Sequence, residues 1–116
     1  MTNRFRRPLP RSRRGGAPEP VWHPVEGVNT LPGFLRRAQP TYPEESRRGG
    51  VEARVVAEVF LEATGAVAKV DILVSGGERF DRAVIEAIRQ SRFSPARIDG
   101  EPVRVRVRIP FSFRLR

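Results

Sequence analysis

The chain has 116 residues, a hydrophobic fraction of 39% and a net charge of +9 at pH 7, which suits one small domain rather than two. It contains no cysteine, and its lone His23 has no second histidine or cysteine beside it, so no disulfide, metal or cofactor is expected. No run of about 18 apolar residues occurs, so we expect no membrane span, and no export signal is recognised.

The first part of the chain has the composition of a linker. Prolines recur among arginines and glycines, and such a stretch buries too little apolar surface to offset the entropy of ordering it. We therefore predict a largely disordered Pro/Arg-rich linker over residues 1–35 and a folded domain over residues 36–116. Two apolar islands in the linker, Val21–Trp22 and Leu31–Leu35, are candidates for docking on the domain.

The domain is predicted to begin with a short helix and two strands. Pro43 suits a first helical position, and the helix of at most two turns should end at Gly49–Gly50. Val51–Leu61 and Val67–Val74 then alternate as strands do, and the short connection around Gly65 predicts an antiparallel hairpin.

A second helix and a last strand complete the pattern. Phe80, Val84 and Ile88 lie on one stripe of a helix that starts at Glu78 or Arg79 and runs to Ser91. After a turn at Asp99–Gly100, every second residue from Val103 to Leu115 is apolar. The sequence thus predicts an α+β fold, in which two helices cover one face of a three-stranded antiparallel sheet, in the order helix, strand, strand, helix, strand.

The last strand carries the main functional hypothesis. Because Pro110 cannot donate to a β-ladder, we expect this strand at the edge of the sheet, where its free backbone groups could bind an extended peptide. The outward arginines could be a solvated face, could attract an acidic strand, or could contact nucleic acid. The candidate peptide-binding residues on this strand are Arg104, Val105, Arg106, Val107, Arg108 and Ile109.

Four motifs together resemble a known family. They are Gln39–Pro43, a helix opening at Phe80–Val84, its close at Arg92–Ala96, and a final strand ending Ile109–Phe113. In this order and spacing, residues 36–115 resemble the C-terminal domain of TonB-like energy transducers. The resemblance implies that Gln39, Pro40 and Tyr42, which match the family's Gln-Pro-x-Tyr-Pro element, lie close to a captured peptide.

The resemblance also implies partners and a compartment. Domains of this type capture an extended segment of an outer-membrane TonB-dependent transporter on the periplasmic side of the cell envelope. The family is anchored in the inner membrane and uses a motor complex there. The family's transmembrane helix is not visible in this sequence, so a motor complex is expected as a partner only if an anchor lies upstream.

Two other kinds of function compete with peptide capture. The positive charge favours a basic nucleic-acid-binding module, although no aromatic residue is expected among the outward arginines to stack on a base. Exposed strand edges also favour a homodimer formed by strand pairing. An enzyme is not expected, because one histidine and no cysteine provide no Ser/His or Cys/His arrangement.

Overall fold

A computed structural model describes residues 21–115, so predictions for residues 1–20 lie outside the described part of the chain. The described residues form two α-helices, eight strands and one turn of 3-10 helix. In chain order these are β1 (His23–Pro24), the 3-10 turn (Val25–Gly27), β2 (Phe34–Arg36), α1 (Glu44–Arg48), β3 (Ala53–Leu61), β4 (Val67–Val74), α2 (Glu78–Gln90), β5 (Arg92–Phe93), β6 (Ala96–Ile98), β7 (Glu101–Val103) and β8 (Val105–Phe113).

The main sheet has four strands in the order β1-β8-β3-β4. The three long strands β8, β3 and β4 are antiparallel, whereas β1 adds to β8 in parallel. The remaining strands form two separate pairs, β2 with β5 and β6 with β7. The predicted sheet of three strands is therefore wrong in its count, because pairings of two or three residues carry no periodic signal along the sequence.

The core lies between one face of the sheet and α2. Every second residue of β3 from Val55 to Leu61 is fully buried, as the alternation predicts, and Phe80, Val84 and Ile88 of α2 are buried against them. By contrast, α1 buries none of its five residues. Of the two helices expected to cover the sheet, only α2 buries side chains in the core.

The predicted last strand is divided at Arg104. Its first part is β7, which pairs with β6 around Asp99 and Gly100. Both of these residues have positive φ, 49° and 85°, the conformation of a type I′ hairpin turn. The predicted turn is therefore present, but it closes a separate hairpin of β6 and β7. The strand of the main sheet, β8, begins only at Val105.

Part of the predicted linker lies against the domain. The Trp22 ring contacts Phe60 of β3, with centroids 5.3 Å apart, and the Phe34 ring contacts Phe93 of β5 at 4.8 Å. Both apolar islands therefore dock on the domain. The division of the chain at residues 35 and 36 stays a prediction.

The described residues also bear on membrane and metal binding. Over residues 21–115, neither helix combines the length and apolarity that crossing a bilayer requires. The same residues bring together no group of three side chains of the kind that holds a metal ion.

Candidate peptide-binding edge

One end of β8 is already paired with another segment of the chain. In β1, His23 lies opposite Val105 and Pro24 opposite Arg106. The His23 N–H donates to the Arg104 carbonyl at 3.1 Å. Three of the predicted binding residues, Arg104 to Arg106, are therefore in contact with the segment that the sequence assigned to the linker. The prediction of an edge strand is wrong for this end of β8, because β1 lies between it and the edge of the sheet.

Beyond β1, the outer side of β8 has no paired strand among residues 21–115. Within residues 21–115, no other strand pairs with residues 107–113 on the side away from β3. We call residues 107–113 the open stretch of β8. It contains the other three predicted strand residues, Val107, Arg108 and Ile109.

The backbone groups of β8 alternate between β3 and the open side. The pairing of β8 with β3 runs without a bulge, so backbone groups of successive residues alternate between β3 and the opposite side. The Arg104 carbonyl points away from β3, to the His23 N–H. Even-numbered residues of β8 therefore direct both N–H and C=O away from β3. Pro110 therefore lacks its N–H on the open side, where no ladder bond with β3 is lost. The open stretch offers the carbonyls of Arg108, Pro110 and Ser112 and the N–H groups of Arg108 and Ser112.

The outward arginines form ion pairs with carboxylates on β3 or directly after it. Arg104 lies 3.0 Å from Glu62, while Arg106 and Arg108 share Glu58 at 3.5 and 3.7 Å. Glu58 is only 13% exposed, whereas the Arg108 side chain is 68% exposed. These ion pairs reduce the attraction of the three arginines for an acidic partner. The attraction is greatest at Arg108, which lies on the open stretch.

Aromatic rings do lie among these arginines, contrary to the sequence-based expectation. Trp22 meets Phe60 edge to face, the Arg104 guanidinium lies 6.0 Å from the Trp22 ring, and Lys69 lies 4.8 Å from the Phe60 ring. The pattern of β3 places Phe60 on the outer face, but Trp22 reaches it only through the pairing of β1. The Trp22–Phe60 contact and the cation–π contact of Arg104 with Trp22 help to hold the start of β1 against β3 and β8.

Tyr42 ties the Gln-Pro-x-Tyr-Pro element to the end of β8. Its hydroxyl donates to the Val51 carbonyl at 2.5 Å. Its ring meets Phe113 and Phe80 edge to face, at centroid distances of 5.5 and 5.7 Å. Tyr42 is half-buried by these contacts, so its packing role is visible in the structure.

Gln39 and Pro40 lie between two residues that reach the C-terminal half of β8. On one side, the Arg37 guanidinium lies 6.0 Å from the Phe111 ring. On the other side, Tyr42 contacts the last residue of β8. Gln39 is exposed and Pro40 is half-buried. The residues on either side of Gln39 and Pro40 thus contact side chains of the open stretch, and contact of Gln39 and Pro40 with a peptide stays a prediction.

Tyr42 is the only tyrosine in the chain, so a phenolate titration reports on it alone. Burial of the ring, and then the negative charge of Glu52, raise the pKa of Tyr42 above its ordinary 10.0. We expect the phenolate absorbance of the folded protein to rise at higher pH than that of the unfolded chain. The stability linked to this group is present below pH 10 and is lost as the pH rises through the folded-state pKa.

Glu52→Gln provides the control for that titration. It removes the charge next to Tyr42 and keeps the shape of the side chain, so we expect the pKa of Tyr42 to fall while staying above 10.0. Equal midpoints in the folded and unfolded protein would contradict the described environment of Tyr42.

The sequence reasoning missed an apolar groove beside the open stretch. It has a volume of about 240 Å³ and lies between β8 and the segment that follows β1. The Leu31–Leu35 island was the only signal for it, and that signal did not indicate the strand it faces. The groove is lined mainly by Val25, Leu31, Phe34, Phe93, Val107 and Ile109.

Comparison with known proteins gives a consistent assignment. The model of the family "Gram-negative bacterial TonB protein C-terminal" matches residues 38–115. The protein TonB of Vibrio cholerae is 42% identical over 80 residues, covering 68% of this chain and 33% of its own. The protein TonB of Xanthomonas campestris is 35% identical over 77 residues, covering 66% and 34%.

A solved structure shows the same fold. The solution NMR structure of the Pseudomonas aeruginosa TonB CTD matches with a TM-score of 0.62 and 28% identity, covering 72% of this chain and 86% of that one. The matched region spans about a third of the length of the two curated relatives. Because the family model covers most of the chain, the protein belongs to the TonB C-terminal domain family.

Proposed function

We propose that the domain captures an extended segment of an outer-membrane TonB-dependent transporter by strand addition at the open stretch of β8. In the whole protein, this capture would couple energy from the inner membrane to transport across the outer membrane. The domain would work on the periplasmic side of the cell envelope and bind without doing chemistry. An inner-membrane motor complex would be a further partner if a membrane anchor lies upstream.

The observation that carries the proposal is the set of backbone N–H and C=O groups at Arg108, Pro110 and Ser112 that point away from β3. These groups are the ones that a further strand would use, and the strand that bears them has its other side fixed to β3. The pairing of β1 supports the proposal, because the chain's own extended segment already adds to the same side of β8. Arg108, the most exposed of the three outward arginines, favours an acidic partner.

Backbone bonding alone gives weak binding. At roughly 1 kcal/mol net for each bond, the three carbonyls and two N–H groups supply about 5 kcal/mol before the peptide pays for its own ordering. A micromolar dissociation constant needs about 8 kcal/mol. Side-chain contacts must therefore supply the difference, and burial of one aliphatic side chain contributes about 1.5–3 kcal/mol.

An NMR titration tests the proposal. The probe is a peptide as long as the open stretch, with alternating valine and threonine and an aspartate at each end. We expect its addition to shift the amide signals of residues 107–113. The signals of Val105 and Arg106 should move less, because β1 covers them.

Two N-methylated versions of the peptide provide the control. Methyl groups on the amides that face β8 should abolish the shifts, whereas methyl groups on the amides that face away should leave them. If both versions bind alike, or if the unmodified peptide causes no shift along the open stretch, strand addition there is wrong.

Nucleic-acid binding remains the second candidate because of the ring pair Trp22 and Phe60. These rings lie among Arg104 and Lys69, an arrangement of aromatic and basic groups that can serve single-stranded nucleic acid. In this structure the two rings contact each other edge to face, and Arg104 is paired with Glu62. Tight binding to single-stranded DNA at about 150 mM salt, falling steeply as salt rises, would favour this candidate over peptide capture.

A further inference from the structure

The core face of β8 is covered unevenly. Val105, Phe111 and Phe113 are buried, whereas Val107 and Ile109, which lie between them on the same face, are only half-buried. The two less covered residues belong to the open stretch. Apolar surface of Val107 and Ile109 therefore stays exposed at the place where a further strand would add.

The groove beside these two residues is apolar and small. On the side away from β8 its wall is formed by the segment after β1, including Leu31, which is 62% exposed. Its volume of about 240 Å³ is below the range of pockets for drug-sized ligands and suits a side chain.

Strand geometry directs one side chain of a partner into this groove. When a strand adds to an edge, residues opposite each other place their side chains on the same face of the sheet. A partner residue opposite Val107 or Ile109 would therefore point to the core face, over the half-buried side chains of these two residues. Its neighbours in the partner would point to the outer face.

The charges around the groove define the rest of the partner. Arg108 lies at its rim with a largely exposed side chain, and the Arg37 guanidinium lies 4.7 Å from the Phe34 ring on the opposite wall. An extended chain that carries an aliphatic residue with acidic residues nearby complements both the apolar wall and the basic rim.

We propose that this groove is the subsite that selects an aliphatic side chain of the captured strand. The proposal rests on the proposed capture at the open stretch of β8 and names the residue that the capture recognises. Leu31, Phe34 and Ile109 determine its specificity, and the 3-10 turn after β1 contributes Val25 to the lining. Acidic residues of the same strand bind at Arg108 and Arg37.

Two leucines of the same segment provide a matched test. Leu31 lines the groove and is 62% exposed, whereas Leu35 is 71% exposed and does not line it. The probes are the valine–threonine peptide with flanking aspartates and a version with serine in place of the valine that faces the groove. Dissociation constants come from amide shifts in the full chain.

We expect Leu31→Ala to weaken binding of the valine peptide about fivefold to tenfold, which corresponds to about 1–1.4 kcal/mol. It should leave binding of the serine peptide unchanged, and Leu35→Ala should leave both unchanged. Both substitutions are at exposed side chains, so the fold should be retained.

The outcomes separate the subsite from the proposed function. Shifts along residues 107–113 that are the same for the valine and serine peptides, or equal behaviour of the two leucine variants, would overturn the subsite and leave strand capture standing. No shift at all with the unaltered protein would overturn the proposed capture together with the subsite.

Discussion

Gly65→Ala is expected to destabilise the fold by about 3–5 kcal/mol, the sum of backbone strain and a steric clash. Gly65 lies in the connection between β3 and β4 with φ of +91°, and a Cβ there would lie 2.2 Å from the Phe93 carbonyl oxygen. That oxygen belongs to β5, whose buried Phe93 is part of the core. Relief of the clash would therefore require backbone movement in the connection or in β5. Urea unfolding followed by Trp22 fluorescence would measure the loss.

Gly100→Ala is the matched control. Gly100 has a similar φ of +85°, but a Cβ built there meets no atom within 4 Å. We expect this variant to lose only the strain of an alanine at positive φ, about 1–2 kcal/mol. The difference between the two variants then measures the close approach of β5 to the β3–β4 connection. Equal losses would show that this approach contributes nothing to the stability.

The long elements could be predicted because each buries a regular pattern. The alternation of β3 predicted that Val55, Ala57, Val59 and Leu61 share the buried face, and the stripe of α2 predicted Phe80, Val84 and Ile88. These positions depend only on the period of the element and on one apolar face to cover. No knowledge of distant segments was needed.

The short pairings could not be predicted from the sequence, because each depends on a distant partner. β1 is two residues long and exists only because β8 offers it a free side. The expectation that α1 covers the sheet failed for a different reason. Its sequence Glu44–Arg48 is polar on all sides, and Tyr42, just before it, is the residue that contacts the core.

The electrostatics of the candidate site depend on register. Glu58 lies directly opposite Arg108, and Phe60 opposite Arg106, in the pairing of β3 with β8. A sequence pattern shows that these side chains are on the outer face but does not show which ones are neighbours. The sequence left open whether these arginines are a solvated face, attract an acidic strand or contact nucleic acid, whereas the structure pairs them with Glu58 and Glu62.

Phe113→Ala is expected to cost about 3–5 kcal/mol, as for large-to-small substitutions in other protein cores. Phe113 is 5% exposed at the end of β8, and its ring lies 4.7 Å from Phe80 and 5.5 Å from Tyr42. Removing it leaves a cavity beneath the sheet and takes away one of the two rings that hold Tyr42. Thermal unfolding would measure the stability, and Phe113→Leu should lose less because it fills part of the cavity.

Phe113 also bears on the candidate site, because its ring contacts Tyr42. If Tyr42 fixes the Gln39–Pro43 element beside the open stretch, then loosening Tyr42 should also change peptide capture. In Phe113→Leu we expect the pKa of Tyr42 to fall toward 10.0 because its ring is less buried, and peptide binding to weaken. Leu115→Ala, at a half-buried residue beyond β8, is the control and should lose less than about 1 kcal/mol. A Phe113→Leu variant with a lowered pKa of Tyr42 and unchanged peptide affinity would show that this element packs the domain without taking part in binding.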